Sequence, residues 1–226
     1  MNLKRTFATE TQSHRDESQI LACSAKSSVI SSESLCLCGM TAFKSLLVAF
    51  ALVLLCAVQS PALEVAGVQL DQAVAVRDQQ LKLNGYGIRK KFFVKVYIGS
   101  LYSAKRLTTA ADALKDSGDK VIRMNFLHSK VEKEKIIEAF TEGFTNNSPD
   151  LAGSPEVKKF LALFSADFKR GDVVDLVLGG DGSVAASHNS KVLGTITSPK
   201  LARAVLAIYL GDKPADDSLK QGMLGK

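Results

Sequence analysis

The stretch QQLKLNGYGIRKKFFVKVYIGSLYS, residues 79–103, does most to decide what this chain can become. Its β-branched and aromatic side chains lose rotamer freedom in a helix and pack well on a pleated surface. Asn84-Gly85 is a turn signal, so the region reads as several strands, the last of them long. If that last strand runs unbroken, period-2 alternation sends Arg89, Lys91, Phe93, Lys95 and Tyr97 to one side and Phe92, Val94, Val96 and Ile98 to the other. One side is core. The other mixes cations with aromatics, which fits either a solvent face with snorkelling lysine stems or the wall of a cleft whose arginine holds an anion.

The remaining elements read in order around this strand. VAGVQL supplies another β run, and TTAADALKDSG a helix capped by Thr109 and stopped at Gly118. KVIRMNFL alternates Ile122, Met124 and Phe126 against Val121, Arg123 and Asn125, as a half-buried strand does. VEKEKIIEAFTEGF sets Ile136, Ile137, Phe140 and Phe144 at helical spacing. Two Ser-Pro pairs, Ser154-Pro155 and Ser198-Pro199, begin further helices with a cap and a first-turn proline. Between them DVVDLVLGGDGSVAASHNSKVLGTIT reads as hairpin strands with GGDG and HNS turns. Asp172 and Asp175, at a strand start, read as solvation and edge protection. A short amphipathic piece, PADDSLKQGML, closes the chain. Strands, helices, strands and helices in blocks predict an α+β fold with an antiparallel sheet, since the alternation of a parallel sheet is missing.

Domain limits follow from a change of character at Met40. Residues 1–39 are Ser-rich without a core-forming pattern and are read as a disordered extension or a mis-assigned start. Residues 40–62 carry Lys44, an apolar run from Leu46 to Val58, and Ser60-Pro61-Ala62, the pattern of a signal peptide cleaved before Leu63. The run is short of the ~18 residues of a spanning helix. Residues 63–226 are then one exported domain, periplasmic or secreted, with no stable membrane anchor after cleavage. Cys23, Cys36, Cys38 and Cys56 all precede the cleavage point, so the domain has to be stable without a disulfide.

Several chemistries are excluded by what the domain lacks. His128 and His188 are its only histidines and have no ligand motif around them, so no metal site is expected. No cysteine and no G-x-S-x-G elbow offers a nucleophile, and GGDG lacks the lysine and following helix of a phosphate loop. No cofactor is expected. The net charge of +6 is spread among acids rather than clustered with aromatics, which argues against a nucleic-acid partner.

The succession G-I-R, KFFVKVYIGSLY and LGTITSPKLARAVLAIYLGDKPADDSLKQGMLG resembles the chalcone isomerase family, and more closely its bacterial exported branch, the chalcone isomerase-like proteins. The resemblance spans nearly all of 63–226. It implies a large antiparallel sheet covered by a layer of helices, with a ligand cleft between them and no cofactor. In the plant isomerases the Gly-x-Arg arginine stabilises the charge that develops as a phenolate closes onto an enone. Arg89 occupies the matching position, and Thr197 or Ser198 the late Ser/Thr position.

Departures from the plant pattern bear on activity. Only Lys90 separates the arginine from the Lys-Phe of the strand, and Val96-Tyr97 stand where the plant strand has a threonine before Ile-Gly. No tyrosine lies between Tyr102 and Tyr209, and Phe140 and Phe144 fill the corresponding helical region without a hydroxyl. Losing a positioned proton-handling group typically costs ~100-fold or more in rate. The non-catalytic relatives bind fatty acids with the same arginine facing the carboxylate. The reading is therefore a binding protein for a small amphipathic anion such as a fatty acid, with Arg89 at the cleft mouth gripping the head group. Lys91, Phe93, Tyr97, Thr197 and Ser198 are its further ligand-binding candidates, and Phe92, Phe93, Val96, Phe140 and Phe144 candidates for the apolar wall. The alternatives are an intramolecular lyase with Arg89 as electrostatic catalyst, and an accessory protein with no ligand.

Overall fold

A computed structural model describes residues 63–226. The expected extension (1–39), the signal segment (40–62) and the four cysteines lie outside the described residues. Seven strands form one antiparallel sheet: β3 (Ala73–Val76), β4 (Gln79–Lys91), β5 (Val94–Ser103), β6 (Lys120–Phe126), β9 (Val173–Leu178), β10 (Ser183–His188) and β11 (Lys191–Thr197). They stand side by side in chain order. A small hairpin, β1 (Leu63–Val65) with β2 (Val68–Leu70), precedes them, and β7 (Lys130–Val131) pairs with β8 (Phe168–Lys169).

The excursion between β6 and β9 carries the helices α2 (Lys133–Asn147) and α3 (Pro155–Ala162). After β11 come α4 (Pro199–Leu210) and α5 (Asp217–Met223), and α1 (Ala110–Lys115) lies between β5 and β6. Three of their caps are those expected. The hydroxyls of Thr109, Ser154 and Ser198 accept from the backbone N–H of Asp112, Val157 and Leu201. The main core gathers Tyr97, Leu101, Ile122, Met124 and Phe126 from one face of the sheet with Phe140, Phe144, Phe160, Leu201 and Ile208 from the helices. This is the α+β arrangement that the block order predicts, an antiparallel sheet with helices against one face.

The long β run folds differently from its dipeptide signals. Asn84-Gly85 is no turn: both lie inside β4, at a shift of register where Leu83 pairs with Tyr102 and Gly85 with Leu101. Asn84 is buried, and its side chain donates to the carbonyls of Leu107 and Met223 (both 2.8 Å) and accepts from the Leu107 N–H (2.7 Å). The glycines make room for α5. A Cβ on Gly85 would lie 2.3 Å from the Gly222 carbonyl, and one on Gly87 2.8 Å from Leu219 Cα. The chain reverses instead at Phe92-Phe93, between paired Lys91 and Val94.

Asp175 is not an edge guard. It sits opposite Arg123 on β6, in the middle of the sheet, and accepts from the guanidinium Nε at 2.7 Å and a second nitrogen at 2.9 Å. Asp172 is also buried, bonded to the Lys169 N–H and the Asn189 amide. The expected HNS turn does form. Asn189 and Ser190 have φ of 49° and 65° between paired His188 and Lys191, the two positive values of a type I′ hairpin.

Candidate functional site

The hairpin at Phe92-Phe93 puts Arg89 and Tyr97 directly opposite each other in the β4–β5 ladder. They share a face because of this register, not because one strand runs on through both. A second shift of register follows, with Arg89 paired to Tyr97 but Lys90 to Lys95, so Val96 is the extra residue of a bulge. The Val96 carbonyl is not orphaned, since it accepts from Leu127 and His128 at 2.9 and 3.2 Å. The bulge thus bends the strand end beside the arginine and ties it to the segment leading to α2.

Two cavities meet at Arg89, with Ile136 and Ala139 of α2 in their common wall. The inner one is enclosed by Tyr97, Met124, Phe140, Ile208 and Tyr209, and its free space of about 10 Å³ amounts to a single water. The outer one is an open groove of about 360 Å³, within the range of small-molecule sites. Its apolar wall is Phe92, Val94, Val96, Val131 and Ile136, and Lys91, His128, Lys130, Glu132 and Lys135 supply its polar groups.

Arg89 is half-buried and enters no ion pair among the described residues. Its guanidinium carbon stands 5.7 Å from the centroid of the Tyr97 ring, a cation–π distance. The Tyr97 phenol raises the guanidinium pKa above its ordinary value, against the opposing effect of burial. Tyr209 is fully buried. Burial pushes its pKa far up, so it stays a neutral phenol, and its hydroxyl donates to Met124 Sδ at 3.3 Å. A fixed cation at the inner end of an apolar groove is equipped to receive an oxyanion. The described residues contain no cluster of three or more potential metal ligands.

The candidates named from sequence are thus divided. Arg89, Tyr97 and Lys91 line the cavities, as do Phe92, Val96 and Phe140 from the expected apolar wall. Phe93 points into solvent at the hairpin tip, fully exposed, and Phe144 is sealed in the core. Thr197 and Ser198 line neither cavity. Ser198 spends its hydroxyl capping α4, and Thr197 is exposed at the end of the edge strand β11. Tyr209 and Met124 were not singled out for the site. The trace of Tyr209 in the sequence is one hydroxyl-bearing ring in the otherwise aliphatic helix AVLAIYL, and Met124 lies on the face of KVIRMNFL already read as buried.

Comparison with known proteins bears on the whole described region. Residues 62–225 match the family model described as chalcone isomerase-like. A curated relative, Fatty-acid-binding protein 1 of Arabidopsis thaliana, is 24% identical over 108 residues; the match takes in 46% of this chain and 39% of that protein. Among solved structures, a crystal structure of an Arabidopsis thaliana fatty-acid binding protein superposes with a TM-score of 0.57 at 18% identity. It covers 72% of this chain and 95% of that one, a likeness of fold.

Proposed function

We propose that this chain, which belongs to the chalcone isomerase-like family, binds a small amphipathic anion of the fatty-acid class, without efficient catalysis, in the groove that ends at Arg89. The carrying observation is a half-buried arginine with no acidic partner among the described residues, placed where an apolar groove meets an enclosed phenol-lined pocket. A guanidinium in that setting gains most from a carboxylate, which it can hold by two parallel hydrogen bonds. The carboxylate lies against Arg89 at the inner end of the groove, and the hydrocarbon runs along Phe92, Val94, Val96, Val131 and Ile136. Relatives whose names carry fatty-acid binding support the ligand class.

The lyase alternative has one observation in its favour. The tyrosine that chain order denied to the middle of the domain has a spatial substitute, since Tyr97 and Tyr209 both stand in the inner pocket with Arg89. The groove would serve either reading, and the names of the relatives favour binding. We also propose that the domain works outside the cytoplasm, after cleavage before Leu63, which the Leu46–Val58 and Ser60-Pro61-Ala62 pattern supports.

The test is titration of delipidated protein with a mid-chain fatty acid, wild type against Arg89→Ala. Loss of a charge-assisted pair predicts affinity roughly 10- to 100-fold weaker in the variant. Equal affinity in the two proteins would reject the head-group role of Arg89. Stereoselective cyclisation of a chalcone, lost with Arg89→Ala, would establish the lyase instead.

A further inference from the structure

The β4–β5 hairpin ends in a tip that folding does not account for, and whose Phe93 has no part in the groove. Phe92 and Phe93 are its two loop residues, 88% and 101% exposed, and Val94 beside them is 44% exposed. Phe92 has φ of 57°, while Phe93 is not among the positive-φ residues; this is the φ pattern of a type II′ turn, whose first position ordinarily carries glycine. A bulky aromatic in left-handed backbone is conformationally unfavourable, and this one recovers nothing by burial. A turn sequence selected for folding alone would have Gly or Asn here.

Charge surrounds the aromatic tip. Lys90, Lys91 and Lys95 flank it within six residues of chain, and none of the three makes an ion pair among the described residues. The lysines further along the groove differ: Lys130 is paired with Asp167 and Lys135 with Glu138. Acidic groups nearby are already engaged. Asp216 accepts from the Lys90 backbone N–H, and Glu132 lies 3.9 Å from Lys130.

We propose that this hairpin tip docks reversibly on an anionic phospholipid surface, Phe92 and Phe93 entering the boundary between head groups and acyl chains while Lys90, Lys91 and Lys95 meet the lipid phosphates. A convex apolar tip ringed by unpaired cations matches that boundary, where aromatic side chains are favoured and each basic residue adds attraction. A second copy of the chain fits less well, because two such tips bring like charges together. Phe92 and Val94 also belong to the groove wall, so docking would set the groove mouth against the lipid. This goes beyond ligand binding, and a cleft that proves empty leaves it standing.

The chain contains no tryptophan, so Phe93→Trp installs a single fluorescent reporter at the tip. The experiment mixes the full-length Phe93→Trp protein with vesicles of phosphatidylcholine containing phosphatidylglycerol, and separately with vesicles of phosphatidylcholine alone. The expected result is a blue-shifted emission, quenched by acyl-chain bromination, with the anionic vesicles and only weakly with the neutral ones. Adding Lys90→Gln and Lys95→Gln should weaken binding roughly 25-fold, about fivefold per lysine. The readout is local to the tip, so attachment through the apolar residues 46–58 cannot mimic it. An indole that keeps its water-exposed emission with anionic vesicles overturns the proposal, and equal insertion into both vesicle types overturns its electrostatic half.

Discussion

Replacing Asn84 by alanine should destabilise the domain far more than a turn asparagine could. The residue is 3% exposed and its amide makes three hydrogen bonds, two donated to the Leu107 and Met223 carbonyls and one accepted from the Leu107 N–H. Truncation removes all three partners and leaves one buried donor and two buried carbonyls behind. At ~1–3 kcal/mol for each group left unsatisfied, and allowing for a water to enter the vacated space, the cost is about 4 kcal/mol. That is a large part of the ~5–15 kcal/mol by which domains are ordinarily stable. For a domain of this length it corresponds to a fall in Tm of roughly 8–16 °C. Urea unfolding of wild type and variant, followed by circular dichroism with the m-value held constant, measures it. Because Met223 closes α5, hydrogen exchange of residues 217–223 should also rise. A loss below about 1 kcal/mol, the ordinary cost of an exposed turn position, would refute the reasoning.

Three other outcomes follow from the same structure. Gly87→Ala should cost ~1–3 kcal/mol in urea unfolding, because its Cβ meets Leu219 Cα at 2.8 Å and backbone cannot yield as a side-chain end would. Lys120 is buried, and its ammonium donates to the Asp116 carboxylate and carbonyl and the Gly118 carbonyl; Lys120→Met should cost ~2–4 kcal/mol. Its hydrogen bond also holds the Asp116 carboxyl below its ordinary pKa, so that part of the stability is present above about pH 4 and lost as pH falls further; the variant's acid limb should be flatter. In alkali, burial raises Tyr102 to about 12 and lifts Tyr209 well above its ordinary value. Both phenols stay protonated while those of the unfolded chain ionise near 10, so stability should fall as pH rises from about 10 through 12. Absorbance at 295 nm should show Tyr102 and Tyr209 ionising only late or on unfolding.

The blocks of strands and helices and three of the side-chain caps were legible because each rests on local periodicity or a cap side chain; KVIRMNFL reads as half-buried, but both faces of its strand β6 are covered and only Arg123 there is partly exposed. The turn of the long β run was not legible. Asn-Gly is among the strongest hairpin signals, yet here the asparagine stitches α5 to the sheet and the glycine admits the helix backbone, both long-range contacts with no local signature. The real reversal, Phe-Phe, runs against turn preference. Arg89 and Tyr97 do share a face, but across a hairpin and not along the one unbroken strand expected, and Phe92 and Val94, expected on its core side, are exposed. Thr197 and Ser198 fit the pattern of the family but line neither cavity, since the hydroxyl that begins α4 is consumed as its cap. Tyr209 escaped notice because its role depends on which way a nearly all-apolar helix is rotated, and such a helix has no polar face to fix that.

The most direct test of the account is native mass spectrometry of the protein purified from its own host, wild type beside Arg89→Ala, with circular dichroism to show that the variant is folded. A bound anion of fatty-acid mass on the wild type, absent from the folded variant, is the predicted result. A ligand carried equally by both, or by neither, would contradict the assignment of Arg89 as the head-group site.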